Sequence, residues 1–220
     1  IIFFTLKLTF NTDIKSFQDI KDNTNIPFAG SVGRNFSGSE LVVMDKPKST
    51  ISEGFRNIRS NVEFLVDQNL DRAKVILLTS SISGEGNTYI AQNLSIVFAK
   101  SCKKTLVLVT DLRRPRMYVD FKLTNDIGVS SHVLGDKSLS DVIVQSDIEN
   151  LDILISGPVP ANPSDALLNE KFKKMLASLK EQYDVIILDT PPLGLVADAL
   201  TLMQYSDINL YVVRQNYTQK

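Results

Sequence analysis

The sequence predicts an α/β fold of three layers, a mainly parallel sheet with helices on both faces. Three observations carry this. The short runs Val75–Leu78, Thr105–Val109 and Val185–Leu188 are apolar without alternation, as expected of strands covered on both sides. Stretches with apolar residues at helical spacing fall between them, so strands and helices alternate. Each of the three runs is followed by a glycine turn or an aspartate, at the strand ends where open parallel sheets carry their chemistry.

With 220 residues, 43% hydrophobic and 22% charged, the chain can bury one sizeable core. A net charge of -1 gives no global attraction to nucleic acid, so any anion site is local and no nucleic-acid partner is expected. Cys102 is the only cysteine and can form no internal disulfide, which favours a reducing compartment. With His132 the only histidine, the usual Cys/His zinc frameworks are excluded, and His132 itself reads as an ordinary helix residue.

In chain order, residues 1–10 are apolar but broken by Lys7, and are shorter than the roughly 20 residues a bilayer requires. They read as the cytoplasmic end of a membrane helix or as a buried or swapped strand, and the residues alone favour the strand. Residues 11–48 read as a polar linker with one or two short strands, around 26–33 and 41–44. Thr50-Ile-Ser-Glu53 fits a capping box, and Phe55, Ile58, Val62 and Leu65 predict an amphipathic helix to about Asp67. Glu53, Arg56 and Arg59 lie along its other side, where they read first as solvated charges.

After Val75–Leu78 come Gly84 and Gly86, then a helix from Ile90 to Lys100 whose N-terminus faces the turn. Against the phosphate-loop pattern G-x-x-x-x-G-K-[ST], Ser81 stands at the first glycine, Gly86 at the second, Asn87 at the lysine and Thr88 at the hydroxyl. The cradle of backbone donors is present and its cation is missing. Asp111, just past Thr105–Val109, is a candidate Mg²⁺ ligand, directly or through water, or else a partner for Arg113 or Arg114. Residues 116–150 read as short helices and loops, with a new ordered piece from Asp141. A strand at Leu151–Ile155 leads into a proline-rich loop, and Ser164 or Asp165 is expected to cap a helix through Leu167, Phe172, Met175 and Leu179. Asp189 ends the 185–188 strand in the apolar-strand-plus-aspartate pattern that holds Mg²⁺ in phosphate-loop proteins. Ile208–Val213 is the last strand, Arg214 follows it, and the helix expected to cover it falls beyond Lys220.

With these residues placed, the chain resembles, over about residues 11–218, the cytoplasmic kinase domain of bacterial tyrosine kinases, the capsule and exopolysaccharide co-polymerase group. The marks are Gly84-Glu-Gly, Asp111-Leu-Arg-Arg-Pro115, Gly157-Pro-Val-Pro-Ala-Asn-Pro-Ser164 and Val185-Ile-Ile-Leu-Asp-Thr-Pro-Pro192, together with Glu53-x-x-Arg56-x-x-Arg59. The resemblance implies a P-loop NTPase-like fold that binds ATP or ADP with Mg²⁺ and transfers the γ-phosphate to tyrosines in the tail of a neighbouring subunit. It implies nucleotide contacts from Ser83, Gly84, Glu85, Gly86, Asn87, Thr88, Tyr89 and Arg214, metal ligation by Thr88, Asp111 and Asp189, and catalysis by Asp111, Asp189 and Arg113. It also implies a ring-shaped homo-oligomer built through Glu53, Arg56 and Arg59, which replaces the reading of that helix face as mere solvated charge. The domain would then sit at the cytoplasmic face of the inner membrane, acting with the polysaccharide assembly machinery, with residues 1–10 as the tail of a membrane helix and 11–48 as a juxtamembrane link.

Two departures qualify the activity. The loop lysine is Asn87, and the first aspartate of the family's Asp-x-Asp is Val109, leaving Asp111 alone. The leading expectation is an active tyrosine autokinase; the alternative is a catalytically impaired nucleotide-binding scaffold, with Arg113 a candidate replacement cation. A partition or septum-placement ATPase fits less well, because Ile82 stands where those proteins carry an extra loop lysine and because they lack the Glu53/Arg56/Arg59 helix.

Overall fold

A computed structural model describes residues 13–66, 70–195 and 198–219. Its strands are β1 (Lys74–Ser80), β2 (Thr105–Val109), β3 (Val144–Gln145), β4 (Leu151–Leu154), β5 (Val185–Asp189) and β6 (Ile208–Val212). They form one sheet in the order β3-β4-β2-β5-β1-β6, parallel throughout except for β3 against β4. The helices are α1 (Phe17–Asn23), α2 (Val42–Asp45), α3 (Thr50–Leu65), α4 (Asn87–Lys100), α5 (Met117–Asp120), α6 (Val129–Val133), α7 (Leu139–Val142), α8 (Pro163–Leu168), α9 (Glu170–Lys180) and α10 (Asp198–Met203).

Successive side chains of a strand face opposite sides, and here both sides are covered. Ile76, Leu78, Val107, Val109 and Ile187 pack with Phe55 and Ile58 of α3 and with Leu94 and Phe98 of α4. Val75, Leu77, Leu106, Leu108, Ile186 and Leu188 pack on the other face with Ala166, Phe172, Leu176 and Leu202, from α8, α9 and α10. This double burial is why the strands read as unbroken apolar runs.

The strand order sets up the site. β5 enters the sheet between β1 and β2, so the ends of these three strands lie side by side, with Asp189 in register with Leu78 on one flank and Val109 on the other. The loop after β1, Asp111 after β2 and Asp189 at the end of β5 therefore meet at the carboxyl edge, the usual place for a ligand in such sheets.

Several local expectations are corrected. Residues 41–44 are not a strand: Val42–Asp45 is a helical turn whose Val43 amide donates to Asn93 Oδ1 at 3.0 Å, and residues 26–33 are likewise irregular. The cap of α3 is Ser49, which accepts from the Ser52 amide, rather than Thr50. α4 begins at Asn87, earlier than Ile90. The helix expected from Ser164 or Asp165 through Leu179 is two, α8 and α9, because Asn169 ends one and caps the next by accepting from the Lys171 amide. Both expected cap residues lie inside the first turn of α8. His132 does lie in a helix, with Nδ1 2.8 Å from the Lys137 carbonyl. Residues 1–10 and the expected helix end at Asp67 lie outside the described residues. No helix among the described residues is long and apolar enough to cross a membrane.

Candidate functional site

Beyond β1 the chain reverses through residues 81–86 into α4. The reversal places Gly84 at φ +90° and Gly86 at φ +106°, left-handed angles that glycine adopts without the clash a Cβ would bring. Within α4 the Ile90 amide bonds the Gly86 carbonyl at 2.9 Å, so the amides of Asn87, Thr88 and Tyr89 have no intrahelical acceptor and face the turn. Together with the positive end of the helix they form an anion-binding concavity.

The outer wall of the loop is held by the C-terminal segment. Glu85, 5% exposed, folds its carboxylate back to accept from the Ile82 amide at 2.8 Å, from the Ser81 hydroxyl at 3.2 Å and from the Thr218 hydroxyl. Arg214 Nη1 donates to the Gly84 carbonyl at 2.7 Å, and the Tyr217 hydroxyl donates to the Ser83 carbonyl at 2.9 Å. That segment is held in turn by residues near the start of the described chain: the Ile14 amide donates to the Thr218 carbonyl and the Asn216 amide to the Ile14 carbonyl, each at 2.8 Å, beside a bridge between Asp13 and Gln219.

The inner wall carries the candidate metal ligands. Thr88 Oγ1 donates to Asp189 Oδ2 at 2.9 Å, while Asp189 Oδ1 is buried with no hydrogen-bond partner among the described residues. Burial pushes the Asp189 carboxyl up to about 7; the Thr88 hydroxyl pulls it down and the charge of Asp111 adds to the rise. Asn87 reaches the Thr190 carbonyl only at 3.4 Å, and its Oδ1 is also buried without a partner.

Asp111 Oδ1 accepts from the backbone amides of Arg113 and Arg114, each at 3.0 Å, so what it bonds are their amides rather than their side chains. The Arg113 guanidinium turns to Asp198, with Nε 3.3 Å from Oδ2, and donates through Nη2 to Ser164 Oγ at 2.8 Å; Ser164 in turn donates to Asp198 Oδ1 at 2.6 Å. Asp198, 5% exposed, escaped the sequence reading because it ends no strand and its partners are remote in the chain. Tyr217 and Thr218 escaped it for the same reason.

The fold thus gathers Thr88, Asp111 and Asp189 on one side of residues 83–88, with Arg214 behind the loop. The Tyr89 ring instead packs against Phe55, 5.8 Å between centroids, where burial pushes its hydroxyl up to about 12. What Tyr89 offers the loop is its backbone amide. Glu53 pairs with Arg56, whose Nη2 also donates to the Pro47 carbonyl at 2.6 Å, and Arg59 Nε lies 3.7 Å from Glu63. Arg56 and Arg59 line a separate cleft of about 230 Å³ with Val43, Val97 and Lys100.

A buried, unpartnered carboxylate oxygen beside a hydroxyl, in front of helix-terminal amides, fits a divalent cation carrying phosphates; the loop lysine is absent, with Asn87 in its place, and Val109 stands where a second aspartate is expected. The family described as an AAA domain matches residues 73–218. The tyrosine-protein kinase YwqD of Bacillus subtilis (strain 168) is 38% identical over 181 residues, which cover 82% of this chain and 75% of YwqD. The chain belongs to the bacterial tyrosine-kinase family. Its backbone agrees with that family's solved structures: the chimerical protein CapA2B2 superposes with a TM-score of 0.82 at 36% identity, covering 89% of this chain and 84% of the other. The likeness extends at fold level to the septum site-determining protein MinD from Pyrococcus horikoshii OT3, solved in complex with Mg-ADP, at a TM-score of 0.54 and 26% identity over 64% of this chain and 57% of that one.

Proposed function

We propose that the chain binds the magnesium complex of ATP at residues 83–89 and transfers its γ-phosphoryl group to tyrosine. The observation that carries this is Asp189 Oδ1, a buried acceptor that nothing in the described protein satisfies, set beside Thr88 at the open edge of the sheet. Buried polar atoms without partners are rare and call for one.

Thr88 and Asp189 would hold the magnesium, with Asp111 reaching it directly or through water. When bound, the ion neutralises charge on the phosphate oxygens. The loop amides orient the phosphates, and the buried floor excludes water from one side. In the transfer a bond forms between the tyrosine oxygen and the γ-phosphorus while the bond from that phosphorus to the β-bridging oxygen breaks. The phenol proton passes to a carboxylate, for which Asp111 is the candidate now that Val109 stands where a second aspartate is expected. Arg113, held on Asp198 and Ser164, is placed to organise the Asp111 turn.

The family resemblance supports the wider setting of the same proposal. Tyrosines in the tail of a neighbouring subunit are the acceptors, Glu53, Arg56 and Arg59 build a ring, and the domain works at the cytoplasmic face of the inner membrane in capsular or exopolysaccharide assembly. In that setting residues 11–48 are the juxtamembrane link and 1–10 the end of a membrane helix. Asn87 and Val109 favour a second reading, a scaffold that binds nucleotide but has lost transfer, because a missing cation weakens a transition state more than a ground state.

Calorimetric titration with ATP and ADP, with and without Mg²⁺, beside the Asn87→Lys variant, tests both. Magnesium-dependent binding by the unaltered chain, with tyrosine phosphorylation that Asn87→Lys increases at least about tenfold, is the expected result. Binding without any transfer would favour the scaffold, and no binding at all would overturn the assignment of the loop.

A further inference from the structure

Two carbonyls of the loop are held from behind by side chains that the proposed transfer does not require. In a trans peptide the C=O of one residue and the N–H of the next point in opposite directions. The hydrogen bond from Tyr217 to the Ser83 carbonyl therefore turns the Gly84 amide towards the inside of the loop, and the bond from Arg214 to the Gly84 carbonyl does the same for the Glu85 amide. The seat of Tyr217 depends on residue 84 being bare: a Cβ there would come within 2.7 Å of the Tyr217 hydroxyl. The Arg214 guanidinium lies 5.0 Å from the centre of the Tyr217 ring, so the two side chains brace each other. Arg214 makes no ion pair among the described residues, and the neighbouring Glu85 carboxylate is engaged by Ile82, Ser81 and Thr218 instead.

We infer that Arg214 and Tyr217 are positioning residues for the phosphates of a nucleoside di- or triphosphate, aiming two cradle amides inward, and that Arg214 supplies from behind part of the polarisation that a lysine at position 87 would supply from within. A cation hydrogen-bonded to a carbonyl strengthens the donor at the other end of the same peptide. The inference rests on the nucleotide reading of the loop.

The test is titration of the full chain with Mg-ADP by calorimetry and with adenosine by NMR, for the unaltered protein and for Tyr217→Phe, Arg214→Gln and Arg214→Lys. Tyr217→Phe keeps the ring, loses one hydrogen bond and is expected to weaken ADP about fivefold. Arg214→Gln is expected to weaken it tenfold or more, with much of the loss recovered in Arg214→Lys. Adenosine, which carries no phosphate, should bind all four proteins alike. Unchanged ADP affinity in Tyr217→Phe and Arg214→Gln, or equal losses for ADP and adenosine, would overturn the inference while leaving the nucleotide site standing. Failure of the unaltered chain to bind ADP would overturn the nucleotide reading itself, and the inference with it.

Discussion

The two walls of the 81–89 loop are built on opposite rules. On the outside, the Ser83 and Gly84 carbonyls have partners from the far end of the chain, and the Glu85 carboxylate has Thr218 from there and Ser81 and Ile82 from the loop itself. On the inside, Asn87 Oδ1 and Asp189 Oδ1 are buried with none among the described residues. An unpaired buried polar atom costs about 1–3 kcal/mol, and the unsatisfied inner wall is where the proposed magnesium and nucleotide would supply the missing partners. The contrast separates residues that shape the loop from residues that meet the ligand.

The strongest way to break this contrast is Asp189→Asn. It should abolish the magnesium-dependent part of ADP binding, a loss of about a hundredfold or more, while raising the thermal midpoint of the ligand-free domain, because a buried carboxylate becomes a neutral amide. Calorimetry and a melting curve on the same sample read both; surviving magnesium dependence would move the metal off the inner wall.

The next effect is on pH. Asp189 is raised from 3.8 to about 7, so the folded state holds that proton more tightly than the unfolded chain. Its contribution to stability is complete below the ordinary carboxylate range and is lost as pH rises through 7. Mg-ADP binding needs the carboxylate and runs the other way, tightening up to about tenfold per pH unit below 7. Denaturation midpoints and affinities measured from pH 5 to pH 8 should therefore diverge, and Asp189→Asn should flatten both.

Gly84→Ala sharpens the comparison from the outside. Its φ of +90° and the nearby Tyr217 hydroxyl predict a cost of about 1–2 kcal/mol in urea unfolding, with ADP affinity falling at least as far as in Tyr217→Phe. The smallest effect is expected remote from the loop. Glu53→Ala removes an ion pair whose side chains are 60% and 38% exposed, and should leave the melting midpoint and ADP affinity unmoved while reducing self-association in sedimentation.

β1, β2 and β5 were legible in the sequence because burial on both faces leaves apolar runs that nothing interrupts, and Thr88, Asp111 and Asp189 were legible because each stands next to such a run or to its glycine turn. The helical turn α2 was not. Leu41-Val-Val-Met44 has strand-like β-branching, and its helical form is held by Asn93 of α4, which no local pattern announces. The break at Asn169 was hidden because apolar spacing continues across it, although that residue caps α9 with its own side chain. The cap of α3 was read one residue late, at Thr50, because the capping-box spacing to Glu53 fits there, whereas it is Ser49 that accepts from the Ser52 amide. The Arg113, Ser164 and Asp198 cluster and the Arg214 to Thr218 strap were out of reach for a common reason: the sheet order alone brings their members together.

The pairing of residues 13–14 with the strap has a mechanical meaning. Ile14 is tied to the Thr218 carbonyl, the Thr218 hydroxyl to Glu85, and Glu85 to the amide of Ile82. The Asn216 amide on the Ile14 carbonyl and the Asp13–Gln219 bridge run alongside the first of these bonds, and the Ser81 hydroxyl on Glu85 alongside the last. Tension applied near Asp13 is therefore shared among several hydrogen bonds of the strap before it reaches the loop, while the parallel strands behind them hold the sheet intact.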